Sequence, residues 1–328
     1  MDKRPLVVPA ILSILVAVAL LPAVAGAQSF VYITQWGTEG SGPGEFSPPA
    51  GVAVAPTGEV YVTDLNNHRV QVFSGDGTHL YEWGTYGSGD GQFMHPRGVA
   101  LDGTGNVYVT DSVNHRIQVF TSGGTYLRQW GTYGTGNGQF HNPFDVVVDG
   151  SGNVYVVDEY NHRVQKFAND GTYVTQWGTW GSGTGEFDFA HDLAVDGSGN
   201  VYVADGYNHR VQVFDSQGTY LYQWGTEGNG DGQFDTPYGV SMDGSGNVYV
   251  TEQWGHRVQV FASDGTHLEQ WGTEGSGDGQ FYEPFSVAVD GDGNVYVVDR
   301  GNFRIQVFAP APSATEPTSW GHIKALYR

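Results

Sequence analysis

A repeat of 47 residues constrains the fold of this 328-residue chain more than any other feature of its sequence. The tripeptide Trp-Gly-Thr occurs six times at this spacing, beginning at Trp36, Trp83, Trp130, Trp177, Trp224 and Trp271. A second marker, an arginine followed by Val-Gln or Ile-Gln, keeps the same period at Arg69, Arg116, Arg163, Arg210, Arg257 and Arg304. A fixed period of tens of residues is typical of propellers and solenoids, in which each repeat is one supersecondary unit. The chain therefore contains six copies of one unit.

Each repeat contains four short apolar runs, which we label a to d; in the second repeat they lie within residues 98–102, 106–111, 116–120 and 126–130. Alternation of apolar and polar residues and frequent β-branched residues indicate strands. Turns such as Asp-Gly-Ser-Gly-Asn at 149–153 supply hairpin residues. Abundant glycine (50 residues) and aromatic residues (14%) fit short strands joined by tight turns. We predict an all-β fold, a six-bladed β-propeller of four-stranded antiparallel blades, because the coils of a parallel β-helix would be shorter.

The two ends of the repeat region predict how the ring closes. Residues 30–37 copy strand d but follow no a, b or c strand, whereas the last repeat has strands a, b and c and loses the pattern after Phe308. We therefore expect the N-terminal strand to complete blade six, which removes an open sheet edge.

The motifs Gly-Asn-Val-Tyr-Val-x-Asp and Asn-x-Arg-Ile/Val-Gln-x-Phe resemble the NHL-repeat family over residues 30–308. The resemblance implies a six-bladed propeller in a family that contains binding platforms and a few lyases. Ubiquitin ligases that carry NHL domains use a cysteine-rich zinc domain, and this chain has no cysteine with which to copy that activity.

The first residues indicate export. Lys3 and Arg4 precede an apolar run and then Ala25-Gly26-Ala27, which is the pattern of a cleaved signal peptide. We predict a signal peptide at 1–27, a propeller at 28–308 and a linker with a short tail at 309–328. The mature protein would be secreted or held in the periplasm or cell envelope, without a transmembrane segment. An uncleaved anchor is the alternative at the N-terminus, and the tail is either a sorting tag or a degenerate strand d.

Charge and cysteine content exclude several classes of partner. The formal net charge is −21 and the chain has only 14 lysine and arginine residues, which argues against nucleic acid as a partner. The lack of cysteine excludes disulfides and thiolate metal sites. We expect a monomer.

Residues that recur in every repeat are interpreted as scaffold. An acid lies five residues before each repeat arginine, which predicts six structural ion pairs: Asp64–Arg69, Asp111–Arg116, Asp158–Arg163, Asp205–Arg210, Glu252–Arg257 and Asp299–Arg304. A histidine precedes five of these arginines, but the sixth copy has Phe303. A position that accepts phenylalanine favours aromatic packing over metal ligation.

We predict no cofactor, and two metal ions remain as alternatives. The turn Asp290-Gly291-Asp292-Gly293-Asn294 resembles part of a calcium loop but lacks the glutamate that closes an EF-hand, so turn chemistry is the favoured explanation. Zinc would accompany the lyase interpretation given below.

Residues that vary between repeats are the candidates for function. In a propeller the d-to-a and b-to-c loops share one face, called here the loop face, and strand a begins at the mouth of the central channel. The two positions before and at this start vary between blades and supply the candidates Arg97, Phe144, Asp145, His191, Asp192 and Tyr238. Ordinary drift at exposed positions is the alternative explanation.

Aromatic residues are unevenly distributed on the same face. Tyr86, Tyr133 and Trp180 lie in the glycine-rich d-to-a loops, and Tyr160, Tyr207 and Trp254 lie at b-to-c tips. The remaining d-to-a loops carry Glu39, Glu227 and Glu274 instead. Exposed aromatic residues on one side of a protein indicate a binding surface.

Two functions fit this pattern. The first is a non-catalytic platform that binds a protein, peptide or glycan on the loop face. The second is a lyase resembling the peptidyl-hydroxyglycine or streptogramin lyases, with a metal near the channel. The amidating lyases hold zinc with three histidines in the channel, whereas here only His191 is at the channel mouth, and His95 and His141 lie at other offsets.

Overall fold

The structure is a computed structural model that describes residues 30–311. Its strands form six four-stranded antiparallel sheets. The first strand of each sheet packs against the first strand of the next, and the last sheet returns to contact the first, so the sheets close into a ring. The predicted six-bladed β-propeller is therefore confirmed.

Five blades use four consecutive strands each. Blade one contains β2 (Pro49–Val54), β3 (Val60–Asp64), β4 (Arg69–Phe73) and β5 (His79–Trp83). Blade two contains β6 (Pro96–Leu101), β7 (Val107–Asp111), β8 (Arg116–Phe120) and β9 (Tyr126–Trp130). Blade three contains β10 (Pro143–Val148), β11 (Val154–Asp158), β12 (Arg163–Phe167) and β13 (Tyr173–Trp177). Blade four contains β14 (Ala190–Val195), β15 (Val201–Asp205), β16 (Arg210–Phe214) and β17 (Tyr220–Trp224). Blade five contains β18 (Pro237–Met242), β19 (Val248–Glu252), β20 (Arg257–Phe261) and β21 (His267–Trp271).

Blade six joins the two ends of the described chain. Its inner strands are β22 (Pro284–Val289), β23 (Val295–Asp299) and β24 (Arg304–Pro310), and its outer strand is β1 (Phe30–Trp36). The pairing is antiparallel, from Phe30 opposite Pro310 to Trp36 opposite Ile305. This confirms the expected closure by the N-terminal strand.

Outside the strands, three b-to-c connections contain 3₁₀ turns at Glu159–Asn161, Gly206–Asn208 and Arg300–Asn302. Within residues 30–311 no helix is long and apolar enough to span a membrane. The predicted signal peptide at 1–27 and most of the predicted tail lie outside the described residues.

Neighbouring blades are joined by aromatic packing. The repeat tryptophan in strand d of one blade packs on the phenylalanine that ends strand c of the next, with ring centroids 5.8 Å apart for Trp36 and Phe73 and 5.4 Å apart for Trp271 and Phe308. In blade one, strands b and c are buried along their length, whereas the residues of strand d alternate between half-buried and exposed. The period of 47 thus repeats one interface around the ring.

The six predicted acid–arginine pairs form buried networks. The arginine Nε and a carboxylate oxygen are 2.5–2.9 Å apart in every blade, and all six acids are fully buried. In blade one, Arg69 also donates to the main-chain carbonyls of Gly42 and Glu45 in the glycine-rich loop. Each network therefore ties strands b and c to the loop that enters the same blade, and it holds the loop face rigid.

Four of the five repeat histidines accept a main-chain hydrogen bond from the next blade, which bears on Phe303; the Nδ1 of the fifth, His162, has no partner within the described residues. His68 has a left-handed backbone (φ 56°), and its Nδ1 accepts the N–H of His95 in the next blade at 3.2 Å. Corresponding hydrogen bonds form from Asn142, Thr236 and Glu283 to the histidine of the preceding blade. After Phe303, the corresponding residue around the ring is Pro48, which has no N–H to donate. The phenylalanine therefore stands where no acceptor is needed.

Candidate functional site

The variable residues at the start of strand a converge on the channel axis. A constriction there is lined by residues of all six blades: Ala50, Gly51, Arg97, Gly98, Phe144, Asp145, His191, Asp192, Tyr238, Phe285 and Ser286. Its free volume is only about 10 Å³, which is about the space that one water molecule needs. The structure therefore brings the six channel-mouth candidates together, in a site too small for a larger ligand.

Stacked rings close the mouth. Tyr238 lies between His191, with ring centroids 4.0 Å apart, and Phe285, at 4.1 Å. The Arg97 guanidinium lies 4.3 Å from the centre of the Phe144 ring. The four rings are buried. They act as a plug between the loop face and the channel.

Beyond the plug the channel widens. A cavity of about 250 Å³ is lined by the strand a residues of all six blades, mostly valine, alanine and leucine, and Asp145 and Asp192 lie at its inner end.

His191 has an environment unlike that of any repeat histidine. Its Nδ1 is 3.6 Å from Glu159 Oε1, and both residues are buried. Neither ring nitrogen of His191 has a hydrogen-bond partner within the described chain. Gly206 makes room for the ring, because a Cβ there would lie 2.6 Å from His191 Cδ2.

Asp145 and Asp192 form a pair of carboxyl groups beside His191. The Leu193 N–H donates to Asp192 Oδ1 at 2.6 Å and contacts Asp145 Oδ2 at 3.4 Å. Burial raises the pKa of Asp145 to about 6. Burial, followed by the nearby Asp145 carboxylate, raises the pKa of Asp192 well above its usual range. Both shifts favour the protonated form, so the pair loses its protons at a higher pH than two isolated aspartates would.

Sequence reasoning missed residues that hold the mouth in place. Glu159 faces His191 and accepts a hydrogen bond from Asn142. Arg300 donates to Glu283 at 3.1 Å. The Arg300 guanidinium also lies 5.1 Å from the centre of the Phe285 ring. A signal was available, because the residue after each repeat acid also differs in every blade: Leu65, Ser112, Glu159, Gly206, Gln253 and Arg300.

The six loop aromatics are open to solvent, and one of them, Tyr207, also meets the plug, with its ring centroid 6.2 Å from that of His191. Their exposed fractions run from 46% for Tyr160 to 70% for Trp180. Several rest against the rings of neighbouring loop residues: Tyr133 and Tyr160 both contact His141, and Tyr207 contacts Phe189 at 4.9 Å. Glu39, Glu227 and Glu274 occupy the corresponding rim positions and are also exposed.

The turns that suggested calcium are stabilised by their own backbone. Asp102 accepts the N–H groups of Thr104 and Asn106, each at 2.9 Å, and Asp149 has the same arrangement. Among residues 30–311 no group of three or more histidine or acidic residues could hold a metal ion.

Comparison with known proteins identifies the repeat. A family model described as NHL repeat matches residues 46–73, 93–120, 140–167, 187–214 and 281–308. Two curated relatives share a 50-residue segment: the B-box type zinc finger protein ncl-1 of Caenorhabditis elegans, at 44% identity, and the protein brain tumor of Drosophila melanogaster, at 40%. The segment is 15% of this chain and 6% and 5% of those relatives, so the chain spans only a small part of their length.

Solved structures with the same fold include enzymes. A streptogramin B lyase superposes with a TM-score of 0.61 at 13% identity, covering 86% of this chain and 98% of the lyase. A gluconolactonase from Xanthomonas campestris gives 0.61 at 14%, covering 81% and 87%. A protein of unknown function from Bacteroides thetaiotaomicron gives 0.65 at 17%, covering 85% and 75%. At these identities the likeness shows the fold alone.

Proposed function

Because this chain is a six-bladed β-propeller made of NHL repeats, we propose that it is a non-catalytic platform that binds a protein, peptide or glycan on its loop face. The single observation that carries the proposal is the set of six exposed aromatic side chains on blades two to five. Tyrosine and tryptophan give large contact areas with few rotatable bonds, so they lose little entropy when a ligand binds.

The support beneath these side chains is rigid. The N–H of Tyr160 donates to the His141 carbonyl at 3.2 Å, and that of Tyr207 donates to the Asp188 carbonyl at 3.1 Å. These bonds join each b-to-c tip to the d-to-a loop of the same blade, which the buried arginine network also anchors. A surface that is ordered before binding retains more of its contact energy as affinity.

The test begins with glycan and peptide arrays probed with the purified chain. Affinity for any ligand found is then measured in a Trp180→Ala, Tyr207→Ala double variant. Aromatic anchors at an interface cost about 2 kcal/mol or more on truncation, so we expect a loss of roughly 30-fold or more. A Leu127→Ala, Leu221→Ala variant, which removes exposed apolar residues from outer strands, is the control. Unchanged affinity in a folded double variant contradicts the proposal.

The second candidate is a lyase or lactonase, and the buried His191–Glu159 contact is the observation that favours it. A histidine held by a carboxylate can act as a general base. Two features oppose this function: the His191 ring is buried and it stacks on Tyr238. Turnover of a streptogramin B or of a gluconolactone that disappears in His191→Ala would favour the enzyme, and metal analysis of the purified chain would show whether zinc or calcium accompanies it.

A further inference from the structure

Blades four and five carry a distinct part of the loop face, which we call the acidic–aromatic sector. It consists of Trp180, Asp188 and Tyr207 from blade four and Glu227, Asp235 and Trp254 from blade five. The three residues of blade five lie one repeat of 47 residues after the three of blade four. Each blade combines aromatic with acidic side chains. At the first of these positions blade four has the aromatic Trp180 and blade five has the acidic Glu227.

Main-chain hydrogen bonds place the aromatic and acidic residues beside each other. The Tyr207 N–H donates to the Asp188 carbonyl at 3.1 Å. In blade five the Gln253 N–H donates to the Thr236 carbonyl at 3.1 Å, and these are the chain neighbours of Trp254 and Asp235. Trp180 is 70% exposed and Trp254 is 50% exposed. In each blade the main chain therefore joins the loop that carries an exposed aromatic residue to the loop that carries the aspartate.

The carboxylates of the sector have no cation of their own. Within residues 30–311 no lysine or arginine forms an ion pair with Asp188, Glu227 or Asp235. The repeat arginines are engaged in buried pairs. Arg128 and Lys166 donate to carbonyls of c-to-d turns on the opposite face.

Among the residues that the structure describes, the two remaining cations lie near the channel on the loop face, and both are engaged. Arg300 pairs with Glu283, and Arg97 lies over Phe144. The sector is therefore a negatively charged surface on a chain whose net charge is −21.

An aromatic face and a carboxylate both attract a positive group, the first through its ring quadrupole and the second through its charge. A neutral glycan would use the rings but would desolvate the carboxylates without a compensating charge. We propose that the acidic–aromatic sector binds a segment of a partner protein that carries lysine or arginine side chains. This inference rests on the proposed function and specifies the ligand.

Blades two and three provide an internal control. Their exposed aromatics Tyr86 and Tyr133 lie on the same face, but the position of Asp188 is occupied there by Met94 and His141. Aromatic residues without carboxylates should not retain a basic peptide.

The probe is a fluorescently labelled peptide in which lysine and arginine alternate with glycine and serine, and fluorescence anisotropy reports its binding. A second peptide has glutamine at every basic position. We expect the basic peptide to bind the full chain at least about 10-fold more tightly, with affinity falling as salt increases. Trp180→Ala, Trp254→Ala should weaken binding about 10-fold, since it removes two cation–π contacts. Asp188→Asn, Asp235→Asn should weaken it about 5-fold and reduce the salt dependence.

Two control variants make the result specific to the sector. Tyr86→Ala, Tyr133→Ala removes equally exposed rings from blades two and three, and Glu59→Gln, Asp292→Asn removes two charges from the a-to-b turns of the opposite face. Both should bind within about 2-fold of the unmodified chain. Equal weakening by the opposite-face variant would mean that net charge alone is responsible and would overturn the inference. Equal affinity of the chain for the basic peptide and the glutamine peptide would also overturn the inference.

The outcome separates this inference from the proposed function. One outcome supports the platform and contradicts the basic ligand: a neutral glycan binds, the Trp180→Ala, Tyr207→Ala variant abolishes that binding, and the basic peptide does not bind. If no array ligand and neither peptide binds the loop face, both proposals fail.

Discussion

Blade five contains two departures from the repeat that we expect to be energetically coupled. Glu252 replaces the aspartate of the other five blades, and Gly255 replaces their asparagine. In blade one that asparagine, Asn67, donates to the Gly40 carbonyl at 2.8 Å and to Asp64 at 2.9 Å. In blade five a Cβ on residue 255 would lie 2.6 Å from Glu252 Oε2. The longer acid therefore occupies the space that the missing side chain leaves.

A double-mutant cycle tests this coupling. Gly255→Asn alone forces an asparagine against the Glu252 carboxylate and should destabilise the fold by about 1–3 kcal/mol, as overpacking does. Glu252→Asp alone shortens the acid, leaves the space empty and strains the contact with Arg257, at a similar cost of about 1–3 kcal/mol. The double variant restores the arrangement of the other blades. It regains hydrogen bonds worth about 1 kcal/mol each and removes a flexible glycine from the unfolded chain, worth about 0.4–1 kcal/mol.

The measurement is guanidinium unfolding together with thermal unfolding of all four proteins. The double variant should equal or exceed the unmodified chain, so the interaction free energy between the two sites should be at least about 2 kcal/mol, the sum of the two smallest single costs. For a domain of this size, 1 kcal/mol corresponds to a change of about 2 °C in melting temperature. Additive effects of the two single changes, or a double variant less stable than either, would refute the proposed coupling.

Other predictions follow from the same structure. Deleting residues 30–36 removes six paired positions from blade six and should lower the melting temperature or the solubility sharply, whereas truncation after residue 311 should change neither. His68→Phe should cost about 1 kcal/mol in unfolding free energy, because the partly buried N–H of His95 loses its acceptor, whereas Phe303→His should be neutral within about 0.5 kcal/mol. The raised pKa values of Asp145 and Asp192 mean that the folded chain binds more protons than the unfolded chain. The free energy of unfolding should therefore fall as pH rises from about 4 through 6 and beyond. In Asp192→Asn the melting temperature should depend less on pH. The N-terminal sequence of the exported protein should begin after Ala27, and a retained initiator methionine would contradict cleavage.

The architecture could be predicted from the sequence because one period fixes blade number, strand order and closure together. Six copies of the Trp-Gly-Thr marker gave the blades, and the isolated strand d at the N-terminus gave the partner for β24. The location of the aromatic residues on the loop face follows from the same register. Each of these inferences depends only on position along the repeat.

The interior of the channel mouth could not be predicted in this way. Position placed Phe144 and Tyr238 at the axis, but whether their rings face a ligand or each other depends on the radius of the ring and on side-chain rotamers. In the structure the two rings meet edge to face, with centroids 5.6 Å apart, and help to fill the mouth. The pairing of His191 with Glu159 joins residues 32 positions apart on different blades, a contact that no local pattern reports.

Departures from the repeat fall into two kinds, and the difference bears on function. In the first kind, one departure is matched by a second that contacts it or lies opposite it. The matched pairs are Phe303 with Pro48, Glu252 with Gly255, and His191 with Gly206. Such matched changes are explained by packing within the fold.

Trp180, Glu227 and Asp235 are changes of the other kind. They are solvent-accessible to different degrees, and within residues 30–311 no ion pair or ring contact involves them. Packing does not require a tryptophan at one rim position and a glutamate at the next, since blades with tyrosine there have the same strands and the same buried networks. What distinguishes these residues is the surface that they present to solvent, and a basic partner segment is the ligand that uses both their rings and their charges.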